Sequence, residues 1–326
     1  MLEVLSPGLS SIVVDAGRRA GTDLGVPAGG ACDPLALQML ERLVDGEPGT
    51  TAALEMTLTG ATFTVRETCV VALTGADMEA HVPEERRDLR PGACSLVRAG
   101  TTLRFGAAVD GARTYLSMAG GLDMPLVMGS RSTCLAGGFG GVDGRALRTG
   151  DRLRPLRPGD VALAGRRWPG RQPGVVPGSQ PIRLRIVPGP HRERFAPGVL
   201  DRLAHALWTV SSRSDRVGLM LDGPPLGLAA AGDLLSLPMV WGAIQVPADG
   251  QPICLLTDHQ TVGGYPVPAV VASVDRSSLG QLRPADSVRF EVLSTGDARA
   301  LMLDAQAAFA GALAAMSRDE VGEALA

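Results

Sequence analysis

Short apolar runs rich in valine, leucine and threonine recur along the chain, and each stops within a few residues at glycine or proline. Residues 11–14, 61–65, 69–73, 101–105, 184–187, 253–256 and 287–292 are examples. Runs of this length, regularly spaced and bounded by turn formers, predict strands of a barrel or sandwich. Helical periodicity is rare. Over residues 33–44, Asp33 can cap, Pro34 suits a first turn, and Leu35, Leu37, Met39, Leu40 and Leu43 supply apolar bulk. Residues 195–207 are a second helical candidate. The alanine-rich stretch 297–326 is a third, with Asp297 as its cap. The predicted fold class is all-β with a few short helices.

The pattern breaks near the middle. Residues 155–182 contain PLRPGD and WPGRQPGVVPGSQP and almost no periodicity, which predicts a linker or a wandering surface loop. The expected division is a first unit over 1–155, a Pro/Gly-rich linker over 156–182, a second unit over 183–295 and a helical tail over 296–326. The two units share short echoes. Pro7-Gly8 and Pro188-Gly189 each follow an opening strand, and LRTGDRLR at 147–154 resembles LRPADSVR at 282–289. These echoes fit two related all-β barrels better than alternating strands and long helices.

Composition narrows the function. A net charge of −3 gives no electrostatic case for binding nucleic acid. No apolar run approaches the roughly 20 residues that cross a bilayer, so no membrane partner is expected. Residues 1–15 lack a basic region followed by an apolar core, so no signal peptide is read there. Five scattered cysteines without CxxC spacing fit free thiols, and a cytoplasmic location is expected. Four histidines form no HExxH-like cluster, so no metal site is expected. The sequence has no lysine: every basic side chain apart from histidine is arginine. That excludes a Walker P-loop, a Schiff-base enzyme and covalent biotin on this chain.

Four clusters concentrate polar groups among glycines. The first, DAGRRAGTDLGVPAGGACD at 15–33, holds Asp15, Arg18 and Asp33, but it lacks the GxGxxG spacing of a dinucleotide site. The second is LTGAD at 73–77, which places Asp77 after an apolar strand. The third, AGGLDMPLVMGSRST at 119–133, gathers Arg131 with Ser130, Ser132 and Thr133. Arginine grips carboxylate, carbamate or phosphate in a fixed fork, and hydroxyls add donors. No glycine follows the serines as a nucleophile elbow requires. The fourth, at 243–266, runs from Gln245 through the strand 253–256 to Asp258, His259, Gln260, Gly263, Gly264 and Tyr265. If the strand continues, Asp258 and Gln260 share one face and His259 takes the other, so Asp258 and Gln260 are the stronger pair. For each cluster the alternative role is turn geometry alone.

Taken in order, GVPAGGACD, ALEMTLTG, ALTGAD, RTYLSMAGG, GSRST, SDRVG, GAIQVPADGQPI and DHQTVGGYP resemble the biotin-dependent carboxyltransferase family. Its members include the C subunit of 5-oxoprolinase, KipA, allophanate hydrolase subunit 2 and a region of urea carboxylase. The resemblance runs from about residue 3 to 292. It implies two tandem cyclophilin-like β-barrels. It also implies a subunit of an ATP-dependent 5-oxoprolinase that works with a KipI/PxpB-like subunit and a LamB/YcsF-type PxpA subunit, ATP being shared with those partners. The alternatives are a carboxyltransferase acting on urea or a related small amide, with biotin on another protein, and a KipA-like regulator. Under the enzyme reading, Asp258, Gln260 and Arg131 are candidate catalytic residues. Arg18, Asp33, Asp77, Ser130, Ser132, Asp215, Arg216, Gln245, Gly263, Gly264 and Tyr265 are candidate substrate-binding residues. Because these residues come from both halves, the site is expected in a cleft between them, lined by both Arg131 and Asp258.

Overall fold

A computed structural model describes residues 1–170, 181–229 and 234–316. In the first half, two sheets enclose one core. Arg152–Leu153, Leu2–Ser6, Thr62–Val65, Thr102–Arg104, His81–Val82 and Arg87–Asp88 form a six-stranded sheet in that order. Ser10–Val14, Ala53–Thr57, Arg113–Met118, Cys69–Gly75 and Ala93–Val97 form a five-stranded one. Phe63, Val65 and Leu103 from the first sheet meet Leu54, Met56, Leu73 and Leu116 from the second. Thr62–Val65 alternates buried and half-buried positions, as a strand with one inward face must. The central strands of the five-stranded sheet are buried on both faces. Their second face is covered by helix α1 (Pro34–Leu43), whose Leu37, Leu40 and Leu43 pack on Ile12, Val14, Val70 and Tyr115.

The second half is a closed seven-stranded barrel. Its order is Ile182–Pro188, Ala269–Val271, Ala243–Gln245, Ile253–Leu255, Gly218–Asp222, Trp208–Val210 and Ser287–Val292. A parallel pairing closes the ring, with Ile182 opposite Val288 and Ile186 opposite Val292. Closure leaves no free sheet edge in the ring. Leu184, Ile186, Trp208, Leu219, Ile244, Cys254 and Val288 belong to its buried core. The all-β expectation holds, with four helices among the described residues.

Local chemistry explains where the elements differ from expectation. Asp33 caps α1 as expected, its Oδ1 accepting the Ala36 N–H at 3.0 Å. The second helix, α2 (Val199–His205), starts later than residue 195, because Pro197 and Gly198, at φ 79°, delay entry into the helix. A short α3 (Arg276–Gly280) follows. The last helix, α4 (Thr295–Ala315), is capped by Ser294 and not by Asp297, which donates its N–H to Ser294 Oγ at 3.1 Å. Residues 317–326 of the expected tail and 171–180 of the expected linker lie outside the described residues. Within the expected linker, residues 163–168 pack onto the first half, while Ile182 already opens the first barrel strand. Leu163 and Trp168 are buried, the Trp168 N–H reaches the Gly92 carbonyl at 2.8 Å, and Arg166 pairs with Asp45 at 3.2 Å.

The repeated motif has a physical basis. Arg148 N–H donates to Asp151 Oδ2 at 2.7 Å, and Arg283 N–H donates to Asp286 Oδ2 at 2.8 Å. The residue before each aspartate has positive φ, 91° at Gly150 and 72° at Ala285. Each half therefore uses the same carboxylate-closed turn to launch its last strand.

Glu41 is the exception on α1's buried side. Burial raises its carboxyl pKa to about 7; the neighbouring Asp15 adds to the rise, while the Gly49 N–H and Arg42 oppose it. A carboxyl raised in the folded state contributes stability that is full below its unfolded pKa and lost as pH rises through about 7. Glu41→Gln removes this loss. The variant's thermal midpoint relative to wild type should therefore increase between pH 5 and pH 8. A constant difference across that range would show that Glu41 ionises without cost.

Candidate functional site

The two halves meet through buried polar groups. Glu55, on the strand Ala53–Thr57, is fully enclosed. Arg216 from the second half donates Nη1 to its Oε1, and Arg113 Nε stands 3.6 Å from the same oxygen. The Cys32 N–H and Tyr115 hydroxyl donate to Oε2 at 2.9 and 2.8 Å. Burial pushes the Glu55 carboxyl up, but the Arg216 and Arg113 charges and these donors outweigh it and hold the carboxyl below its usual range. Arg216 continues to the Gly30 carbonyl at 2.6 Å, Thr257 Oγ1 at 3.0 Å and Asp258 Oδ2 at 2.9 Å. Gln281, just after α3, completes the joint. Its Oε1 accepts the Ala112 and Arg113 N–H groups at 2.9 Å, and its Nε2 donates to Asp33 Oδ2 at 2.8 Å.

Beside this joint lies a cleft of 520 Å³ walled by both halves. Arg18, Gly29, Arg113 and Thr133 come from the first half, and Asp215, Arg216 and Asp258 from the second. Arg18 is 3% exposed. Its Nη2 donates to the Ser132 carbonyl and its guanidinium lies 4.8 Å over the Phe139 ring. Among the described residues, Nε and Nη1 have no hydrogen-bond partner and no carboxylate pairs with the side chain. A buried cation of this kind calls for an anion. Asp258, by contrast, is oriented by two contacts to Arg216. The two converge on Gly29, where a Cβ would sit 3.2 Å from Arg18 Nη1 and 3.7 Å from Asp258 Oδ1. With φ at 64° and no side chain, Gly29 keeps the space between the free cation and the held carboxylate open.

The other candidates have different surroundings. Ser130 and Ser132 each donate to Asp15 Oδ1 at 2.6 Å, and the Arg131 N–H donates to Asp15 Oδ2 at 2.6 Å. Buried Asp15 thus organises the GSRST loop that carries the Ser132 carbonyl to Arg18. Arg131 is not among the cleft's lining residues; its Nη1 turns to the Met124 carbonyl. Asp33 is occupied as a helix cap and by Gln281. Asp77 closes a turn through the Glu79 N–H at 2.8 Å, away from the cleft. Asp215 lines the cleft while accepting the Val217 and Gly218 N–H groups at 2.8 and 3.1 Å.

Asp258 and Gln260 separate, because the strand ends at Leu255 and the chain turns. Gln260 donates to Gln245 Oε1 at 2.8 Å. Gly263 allows this pair to form, since a Cβ there would lie 2.5 Å from Gln245 Nε2. Gly264 and half-exposed Tyr265 follow in the same loop, which does not line the cleft. Sequence reasoning overlooked Glu55, Arg113, Tyr115 and Gln281. The available signal was a charge inside an otherwise apolar strand, as in ALEMT and RTYLSM. Among the described residues, no group of three or more histidine, cysteine or carboxylate side chains is placed to hold a metal, and no helix is long and apolar enough to cross a membrane.

The two-half β fold matches solved urea amidolyase and urea carboxylase structures over nearly the whole chain, which places it in the carboxyltransferase class. The chain belongs to that family: the model for the carboxyltransferase domain, subdomain A and B, matches residues 24–292. It is similar to the 5-oxoprolinase C subunit of Escherichia coli, 35% identical over 95% of this chain and 96% of that protein. Among solved structures it is similar to TTHA0988, with a TM-score of 0.77, 36% identity and coverage of 89% of this chain. It also resembles the K. lactis urea amidolyase, with a TM-score of 0.85, 28% identity and coverage of 95% of this chain. The chain spans 56% of TTHA0988 and 20% of the urea amidolyase.

The unpaired Arg18 yields a stability test. Replacing a buried charge that lacks a counter-charge by an apolar side chain of similar length relieves desolvation. Arg18→Met should raise the thermal midpoint of the unliganded chain by roughly 2–4 °C and remove binding of small carboxylates. A lowered midpoint would mean that the Ser132 and Phe139 contacts already satisfy the guanidinium.

Proposed function

We propose that this chain is a subunit of an ATP-dependent 5-oxoprolinase, active in complex with a KipI/PxpB-like subunit and a LamB/YcsF-type PxpA subunit. The similarity to the C subunit of 5-oxoprolinase over nearly the whole of both chains supports the assignment. The observation that carries it to the site is the uncompensated Arg18 facing Asp258 across Gly29. In this reading the carboxylate of 5-oxoproline sits on Arg18 Nε and Nη1, in the fork geometry guanidinium favours. The lactam then lies toward Asp258, whose fixed carboxylate orients the ring N–H or takes part in proton transfer. The net reaction takes up two waters: one opens the lactam C–N bond to give glutamate, and the other is consumed as ATP becomes ADP and phosphate.

The fold similarity to the K. lactis urea amidolyase favours a second reading, a carboxyltransferase acting on urea or a related amide. This chain has no lysine, so the biotin would arrive on another protein. Urea itself carries no carboxylate, but the transferred carboxyl group does, so Arg18 fits either reading; the match over nearly the whole length of a 5-oxoprolinase C subunit, against a small part of a urea amidolyase, favours 5-oxoproline.

The test is ADP release by the assembled subunits. 5-Oxoproline should stimulate it. Arg18→Ala should raise KM for 5-oxoproline by roughly 10–100-fold, the loss of one charge-assisted carboxylate contact. Stimulation by urea and not by 5-oxoproline would move the assignment to the second reading.

A further inference from the structure

A second cavity, of 420 Å³, lies on the far side of the loop that walls the cleft. Gly29 lines both spaces. The neighbouring arginines divide between them, Arg18 in the cleft and Arg19 in the second cavity. The second cavity's walls differ in chemistry from the cleft's. Trp241 from the second half and Phe309 from α4 supply aromatic surface, Arg19 and Arg42 supply positive charge, and Glu41 supplies a carboxyl.

Two of these groups have unfilled hydrogen-bonding capacity. The Trp241 Nε1 is buried and, among the described residues, has no acceptor. Its indole is braced by Arg276, whose guanidinium carbon lies 5.2 Å from the ring centroid and whose Nη2 donates to the Trp241 carbonyl at 3.3 Å. Glu41 accepts the Gly49 N–H on Oε1 at 2.8 Å, and its second oxygen has no such contact among the described residues. A buried indole N–H asks for an acceptor, and a carboxyl in the same cavity suits an amine or a ring nitrogen. Aromatic walls suit a flat ring, and arginines at the rim suit phosphates.

We propose that this second cavity binds an adenine nucleotide, with the base against Trp241 and Glu41 and the phosphates toward Arg19, Arg42 and the Gly29 wall. The proposal rests on the ATP-dependent reading above and deepens it by placing the nucleotide next to the carboxylate-binding cleft. The shared glycine explains the arrangement: at Gly29 the wall between the two spaces is one backbone thick. A phosphate at that wall stands beside the ligand held by Arg18. Trp241, Glu41 and Arg19 are binding residues in this account, and no bond-making step is assigned to them.

The test is equilibrium binding to the full purified chain, read by calorimetry and by tryptophan fluorescence. The ligands are MgATP, adenosine and tripolyphosphate. Wild type should bind MgATP one to one and adenosine more weakly. Trp241→Leu should weaken both by roughly tenfold or more, the loss expected from one base–aromatic stack. Arg19→Ala changes an exposed side chain and spares the core. It should weaken MgATP and tripolyphosphate while leaving adenosine unchanged. No nucleotide binding to wild type at millimolar ligand would overturn the proposal, as would unchanged MgATP binding in both variants. ADP release measured separately on the assembly distinguishes the two readings. Turnover by the assembly without nucleotide binding to this chain removes the site and keeps the function. Binding without 5-oxoproline-dependent turnover keeps the site and removes the function.

Discussion

Glu55 is the constraint on which the remainder of the structure depends. A carboxylate with no exposure, in the middle of a sheet, is stable only if its charge is met where it stands. Arg113 meets it from the adjacent strand and Arg216 from the other half of the molecule. Arg216 is therefore fixed at the joint, and through it the loop carrying Asp258. Arg216 also ties the Gly30 carbonyl, and so the loop that carries Gly29. Both walls of the cleft are set by one buried ion network. Losing either partner would leave a charge in a space that water cannot reach, at a cost of roughly 3–5 kcal/mol.

This joint separates two groups of arginines with different roles. Arg113 and Arg216 are neutralised and hold the halves together. Arg18 is as deeply buried and is left without a counter-charge. Structural demand explains the first two completely and leaves the third unexplained without a ligand. Such a residue destabilises the empty protein and gives affinity when an anion arrives, the trade commonly found at binding sites. Asp15 supports it from behind by collecting the two serines and the Arg131 N–H, which fixes the Ser132 carbonyl against Arg18.

Much of the fold was legible because strands and turns are encoded locally. Short apolar runs closed by glycine or proline, the Asp33-Pro34 helix start and the paired LRTGDRLR and LRPADSVR turns all act within a few residues. Part of the cleft's lining was legible for the same reason: Arg18, Asp215, Arg216 and Asp258 lie in glycine-rich or turn segments, and the structure brings them to one cleft. What was not legible depends on long-range pairing. Arg131 and Arg18 look alike in sequence, and only the fold shows one turned to the Met124 carbonyl and the other into the cleft. The pairing of Asp258 with Gln260 failed because it assumed an extended strand where the chain turns. Glu55 and Gln281 stand in opposite halves of the chain, and no local pattern shows that both converge on the same joint.

The central claim is that one buried network makes the two halves a single unit. Differential scanning calorimetry of wild type and Arg216→Met tests it most directly. Wild type should unfold in one transition whose calorimetric and van't Hoff enthalpies agree. In Arg216→Met, Glu55 loses its partner from the second half, so the account predicts a lower midpoint and a split into two transitions. Two transitions in wild type, or a variant that still melts as one unit at the wild-type temperature, would contradict it.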